Sequence, residues 1–208
     1  MKKEKEKKKI EVVFILDKSG SMQGNIDHTI SSFNEYLEKE KKNKFDTIVS
    51  TILFNDQVEV LHHKKPIQDI PLLTKKDYVV GGCTALYDAL GNAICKMSEE
   101  NQEKVLFIII TDGYENASKE YNKSMIQGMI ASHKKWEFIY IGADIDSYAT
   151  GGDLGIRQDH IANFKKDKKG TSLLFQSVGH LEACMMEDRE IDGCWKKNLE
   201  DYLEQNQK

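Results

Sequence analysis

Two stretches of this chain are unbroken apolar runs rich in β-branched residues: 12–16 (Val-Val-Phe-Ile-Leu) and 105–110 (Val-Leu-Phe-Ile-Ile-Ile). A strand that is apolar at every position, not just at alternate ones, is buried on both faces, as happens in sheets covered by helices on both sides. Each run stops at a carboxylate, Asp17 after the first and Asp112, one residue past Thr111, after the second. These two segments therefore call for an α/β fold whose central strands deliver acidic residues to one edge.

The remaining periodicity agrees with that frame. Ile26, Ile30, Phe33 and Leu37 recur at helical spacing after the first strand, and Leu86, Leu90, Ile94 and Met97 do so before the second. Residues 46–54 read as another strand. Asn55-Asp56 then turns the chain into a segment where Val58 and Val60 alternate with Gln57 and Glu59, the pattern of an exposed antiparallel edge strand. Met125, Ile126, Met129 and Ile130 mark a further helix, and 138–141 a short buried strand. A weak strand near 161–164 precedes a last strong helix with Leu174, Val178, Leu181 and Met185 aligned. Strands alternating with helices predict a mostly parallel central sheet with one antiparallel edge strand and helices on both faces, joined by right-handed crossovers.

The 208 residues fit one domain. We place it at residues 10–190, preceded by a charged tail (1–9) and followed by a charged extension (191–208) carrying a loosely attached helix. A formal net charge of −4 speaks against nucleic-acid binding by phosphate neutralisation. The lysine-rich start is not followed by an apolar stretch long enough for a signal peptide, and no segment approaches the ~18 apolar residues of a membrane span. A cytoplasmic protein with no membrane partner is expected. Cys83, Cys95, Cys184 and Cys194 form no CxxC pair and no zinc-site spacing, so they are expected to be free thiols. His62 and His63, adjacent on a strand, point to opposite faces and make a poor metal pair.

Ligands of open α/β sheets bind outside the carboxyl ends of the strands. The first strand brings Asp17, Ser19 and Ser21 to that edge in Asp17-Lys18-Ser19-Gly20-Ser21, the second brings Asp112, and the loop Gly81-Gly82-Cys83-Thr84 can bring Thr84. Two carboxylates and three hydroxyls make an oxygen shell suited to a small hard cation such as Mg²⁺, which needs only one or two carboxylates and keeps open positions. The same residues could instead cap helices: Asp17, Ser19 and Ser21 the first helix, and Thr84 its own, with Asp88 in the first turn.

Asp17-Lys18-Ser19-Gly20-Ser21 resembles the DxSxS motif of the von Willebrand factor type A domain. Thr84 in Gly-Gly-Cys-Thr-Ala-Leu and Asp112 in Thr-Asp-Gly resemble that family's threonine loop and distal aspartate, in the same order. By element order the resemblance extends over residues 10–185. It implies a Rossmann-like fold with an intact metal ion-dependent adhesion site of the bacterial or phage single-domain type. Ser19 and Ser21 would be direct ligands. Thr84 and Asp112 would bind directly or through water, and Asp17 mostly through water. The cation would be Mg²⁺, or Mn²⁺ or Ca²⁺, and the partner a protein supplying an Asp or Glu, within a larger assembly in some relatives. A short helix would begin near Ile145, although residues 149–152 (Ala-Thr-Gly-Gly) themselves read as a small-residue turn. No catalytic residue is expected. The competing reading, a Mg²⁺-dependent hydrolase or phosphotransferase, lacks a carboxylate two residues after Asp17, where Ser19 stands, and its best acid–base candidates are Glu115 and Asp144. Asp17→Ala or Ser19→Ala is expected to abolish metal binding and leave the fold intact.

Overall fold

The computed structural model describes residues 9–43, 45–99 and 104–206; the lysine-rich stretch before Lys9 lies outside them. Strand β1 (Lys9–Asp17) is buried at every position from Ile10 to Asp17, and β4 (Val105–Thr111) at all seven. β1 pairs in parallel with β2 (Asp46–Phe54) on one side and with β4 on the other. The sheet runs β3-β2-β1-β4-β5-β6, with β3 (Val58–Pro66) antiparallel at one edge and β5 (Glu137–Gly142) leading to the three-residue β6 (Ile161–Asn163) at the other. The expected fold class is the observed one.

Period-two alternation along the central strands divides the core in two. Phe14, Leu16, Ile108 and Ile110 face the layer formed by α1 (Ile26–Glu40) and α5 (Lys168–Met186). Val13, Ile15, Phe107 and Ile109 face α2 (Leu86–Ser98), α3 (Lys123–Ser132) and α4 (Ser147–Asp153). On the first face Phe14 meets Phe33 edge-on, centroids 5.1 Å apart at 88°, and Phe175 packs 5.6 Å from Phe33. These rings pin α1 and α5 to the central strand, each buried ring contributing roughly 1.5–3 kcal/mol.

The helix marked by Met125, Ile126, Met129 and Ile130 forms as α3, with Ile126 buried, Met129 and Ile130 packed partly buried against the core, and Met125 exposed. Two local readings differ from the sequence expectation. The small-residue stretch 149–152 is not a turn but the body of α4, capped by the Asp146 carboxylate on the Ala149 N–H (2.9 Å). Its glycines allow a close approach: a Cβ at Gly151 would come within 3.0 Å of Ile161. The C-terminal segment does form a helix, α6 (Lys197–Gln205), but a firmly attached one. Ile191, Trp195 and Leu199 are buried in the core, the Trp195 indole donates to the Asp159 carbonyl (2.8 Å), and the Lys196 ammonium to the Ile161 carbonyl (2.7 Å). Charge on its outer face hid this anchoring in the sequence.

One buried group works against this packing. Glu182, on the inner face of α5, is fully enclosed against Tyr36 and Glu40 of α1; burial, reinforced by the Glu40 carboxylate, pushes its pKa up to about 8 from 4.5. The folded chain therefore keeps a proton that the unfolded chain releases. The stability tied to this group's proton is fully present below about pH 4.5 and is lost as pH rises through 8. Glu182→Gln should flatten this slope and add on the order of 2–4 kcal/mol near pH 9, read from urea denaturation at several pH values. An unchanged pH profile in the variant would refute this assignment.

Candidate metal centre

Strand order reverses at β1, whose neighbours β2 and β4 are reached by connections running in opposite directions along the sheet. Such a switch point opens a crevice above the carboxyl ends of the two central strands. Asp17 and Thr111 are the last residues of β1 and β4 and face each other there: the Thr111 hydroxyl donates to Asp17 Oδ2 (2.6 Å). The other carboxylate oxygen accepts the Ser19 N–H (2.6 Å), which bends the chain out of β1. Asp17 is wholly buried, and burial raises its pKa above the ordinary value despite those hydrogen bonds, with the neighbouring Asp112 adding to the shift.

The loop after β1 is held by main-chain bonds. Lys18 N–H donates to the Phe54 carbonyl (2.7 Å), Gly20 N–H to the Gly82 carbonyl (3.0 Å), and Gly81 N–H to the Lys18 carbonyl (2.9 Å). The last two join the Asp17–Ser21 loop to the loop bearing Thr84. That second loop is fixed from β2 by the Asn55 side chain on the Gly81 carbonyl (2.7 Å) and by Ala85 N–H on the Asn55 carbonyl (2.7 Å). Gly82 has φ +78°, and a Cβ there would collide with Asp56 at 2.0 Å, so glycine is required. Tyr78, buried beneath, donates its hydroxyl to the Asp17 carbonyl.

All five residues proposed as ligands meet in this crevice. The Ser19 and Ser21 hydroxyl oxygens are 3.0 Å apart, and the Ser21 hydroxyl donates to Asp112 Oδ1. Gly113 leaves room between the other hydroxyls: a Cβ there would sit 2.7 Å from Thr84 Oγ1 and 3.5 Å from Ser21 Oγ. Burial is graded, from the enclosed Asp17, Ser19, Thr84 and Asp112 to the exposed Ser21. The helix-capping alternative finds no support in the hydroxyls. Ser19 precedes a 3₁₀ turn (Gly20–Asn25) without a side-chain cap bond, and the cap of α2 is Ala85, not Thr84.

The residues fit a hard cation on their own geometry. Adjacent oxygens of an octahedral shell with 2.0–2.1 Å bonds lie about 2.9 Å apart, close to the Ser19–Ser21 spacing. No three His, Cys, Asp or Glu side chains cluster as a metal site among the described residues. The donors here are chiefly hydroxyl, with two carboxylates, a set suited to Mg²⁺-like ions rather than thiophilic ones.

A family model described as the von Willebrand factor type A domain matches residues 11–147. The chain belongs to the von Willebrand factor type A family. Its fold is shared with proximal thread matrix protein 1 of the mussel byssus, which is 17% identical with a TM-score of 0.64; the match covers 84% of this chain and 46% of that one. Another structure of the mussel protein, 16% identical with a TM-score of 0.61 and covering 83% and 45% of the two chains, has a zinc-occupied MIDAS motif. The ArnB paralogue VWA2 of Sulfolobus acidocaldarius is 20% identical (TM-score 0.60, covering 81% and 44%). The vWF domain of the Porphyromonas gingivalis pilus tip protein Mfa5 is 11% identical (TM-score 0.62, covering 85% and 96%). The chain thus spans a little under half the length of the mussel and Sulfolobus chains. No curated protein sequence matches.

Around this vWA site, several residues have roles that the sequence did not announce. Glu115, the acid–base candidate of the competing reading, is committed to its loop: it accepts the N–H groups of Tyr87 (3.0 Å), Ala117 (3.0 Å) and Ser118 (2.8 Å) and the Ser118 hydroxyl (2.7 Å). Asp88 does more than place charge in the first turn of α2; it accepts the N–H groups of Lys119, Glu120 and Tyr121. Together they clamp the loop after Asp112 onto α2. Lys166, which no motif marked, reaches from before α5 to Asp112 Oδ2 (2.7 Å), Asp144 Oδ2 (2.9 Å) and the Ser21 carbonyl (3.3 Å). Burial acts against its charge, but the bonds to Asp112 and Asp144 prevail and raise its pKa. All four cysteines are free thiols, and no helix among the described residues is long and apolar enough to cross a membrane.

The hydrogen bonds change the expectation for Asp17. Asp17→Ala strands a buried N–H and a buried hydroxyl, so it should cost roughly 2–4 kcal/mol in metal-free protein, whereas Ser19→Ala should cost less than about 1 kcal/mol. Urea denaturation in EDTA compares them. Equal stability of the two variants would show that Asp17 does not tie the strand ends together.

Proposed function

We propose that this vWA domain binds a divalent cation, Mg²⁺ first and Mn²⁺ or Ca²⁺ as alternatives, through Ser19, Ser21, Thr84, Asp112 and Asp17, and uses it to hold an acidic side chain of a protein partner. The observation that carries this reading is the convergence of three hydroxyls and two carboxylates at the β1–β4 switch point, with the hydroxyls uncommitted to capping. With only two carboxylates in the shell, the bound ion would retain net positive charge, and a carboxylate from a partner would complete its coordination. Ser21, the most exposed of the five, marks the side from which a partner would approach.

Binding is favoured over hydrolysis or phosphotransfer by the state of the nearby carboxylates. Glu115 is fully engaged in holding its loop, and Asp144 is paired with Lys166, so neither stands ready as a general base. The relatives fit an adhesive or structural role: by name, one is a byssus thread matrix protein and another a pilus tip protein. For this chain we propose a role inside the cell as part of a larger assembly.

Calorimetric titration of EDTA-stripped protein with Mg²⁺ and Mn²⁺ tests the site. One saturable site per chain is expected, lost in Ser19→Ala, whose fold should be unaffected. Identical binding heats in the variant would remove Ser19 from the shell. For the partner, capture from lysate should require Mg²⁺ and fail in EDTA; capture indifferent to the metal would overturn the adhesive role.

A further inference from the structure

We propose that Lys166 is a tethered cation of the metal site: in the metal-free protein its ammonium neutralises Asp112, and it yields that carboxylate to an incoming divalent ion by pivoting to Asp144. This rests on the metal-binding reading above and specifies how the site is regulated. Asp112 is buried with one oxygen taken by the Ser21 hydroxyl and the other by Lys166 at 2.7 Å. A buried carboxylate without a counter-ion is costly, so an ammonium delivered from 54 residues away in sequence stabilises the unliganded crevice. The lysine of the Asp17–Ser21 loop, Lys18, is turned away to Glu59 (2.5 Å), which leaves Lys166 as the cation on Asp112 among the described residues.

The two carboxylates gripped by Lys166 differ in one respect that sets the direction of movement. The Asp112 side chain is fully buried, whereas that of Asp144 is 65% exposed. A divalent ion sharing Asp112 with an ammonium would meet like-charge repulsion at short range in a poorly screened crevice. Asp144 offers the ammonium a second partner on the solvent side, 2.9 Å from where it already sits. Asp144 holds φ +56°, a left-handed conformation uncommon for a side-chain-bearing residue, in the turn after β5 that carries its exposed carboxylate to the rim. After the exchange Lys166 would stand beside the metal, facing the carboxylate of the partner, so the same side chain that competes with the ion would reinforce the acidic ligand.

The test combines metal-free stability with metal affinity. Lys166→Met should lower the melting temperature in EDTA, because Asp112 loses its counter-ion, and yet bind Mg²⁺ about tenfold more tightly by calorimetry. Lys169→Met, an exposed neighbour, controls for net charge; equal tightening in both variants would reduce the effect to long-range electrostatics and overturn the proposal. Asp144→Asn should weaken Mg²⁺ binding in the wild-type background and have no effect on top of Lys166→Met; an undiminished effect there would overturn the pivot. If wild type binds Mg²⁺ and Lys166→Met binds it no more tightly, the tethered-cation role alone falls. If neither binds, the metal site itself falls with it.

Discussion

The crevice is organised around one buried carboxylate. Asp17 closes the end of β1, takes a hydroxyl proton bond from Thr111 at the end of β4, and takes the Ser19 N–H that turns the chain upward. Its own carbonyl is held by Tyr78 from below. The β1–β4 ladder sets the register up to Leu16 and Ile110, and this carboxylate extends the tie beyond it to the residues that carry Ser19, Ser21 and Asp112. The main-chain bonds from Gly20 and Gly81 then carry the same alignment across to the Thr84 loop. The positions of the candidate ligands are thus set by second-layer contacts, as is general for metal sites whose ligands must be aimed before the ion arrives.

Charge balance follows from that construction. Asp17 and Asp112 are both buried, and burial raises the Asp17 pKa despite its hydrogen bonds, with Asp112 adding to the shift. Of the two, Asp112 has a cation, the Lys166 ammonium, whereas Asp17 is held by hydrogen bonds. A crevice with more carboxylates would bind a divalent ion more tightly but would also quench its charge. In the proposed role, two carboxylates would be enough to attract the ion and few enough to leave it able to attract an external one.

Much of this could be read from the sequence because it is written locally. The runs at 12–16 and 105–110 are apolar at every position, which settles the doubly covered sheet, and the antiparallel edge is announced by alternation at Val58 and Val60. The DxSxS segment, the Thr84 loop and Asp112 sit immediately after strands or before a helix, so topology alone brings them together. What escaped is what depends on distant partners. Lys166 looks like any lysine in a lysine-rich loop, and its meaning comes from Asp112 and Asp144, which only the fold places beside it. Glu115 stood out in the sequence only as an acid–base candidate, because its hydrogen-bond partners, the main-chain groups of its own loop and of α2, carry no sequence signature. The C-terminal helix misled for a related reason: its few apolar anchors, Ile191, Trp195 and Leu199, are spread among charged residues that face solvent.

The division of labour among the polar residues gives the arrangement its logic. Asx-type bonds, loop clamping and strand alignment fall to carboxylates and amides: Asp17, Asp88, Glu115, Asn55 and Asn116, the last accepting the Thr84 N–H at 2.9 Å. The hydroxyls of Ser19 and Thr84, which in many loops would perform those same tasks, are left without a capping role. A hydroxyl is a weak ligand that binds a hard cation only when held in place, because it brings no charge of its own to draw the ion in. Pre-positioning is therefore the condition under which such a shell can work at all. The surrounding framework of hydrogen-bonded carboxylates and amides would be the structural cost of the proposed site, built as it is from weak ligands.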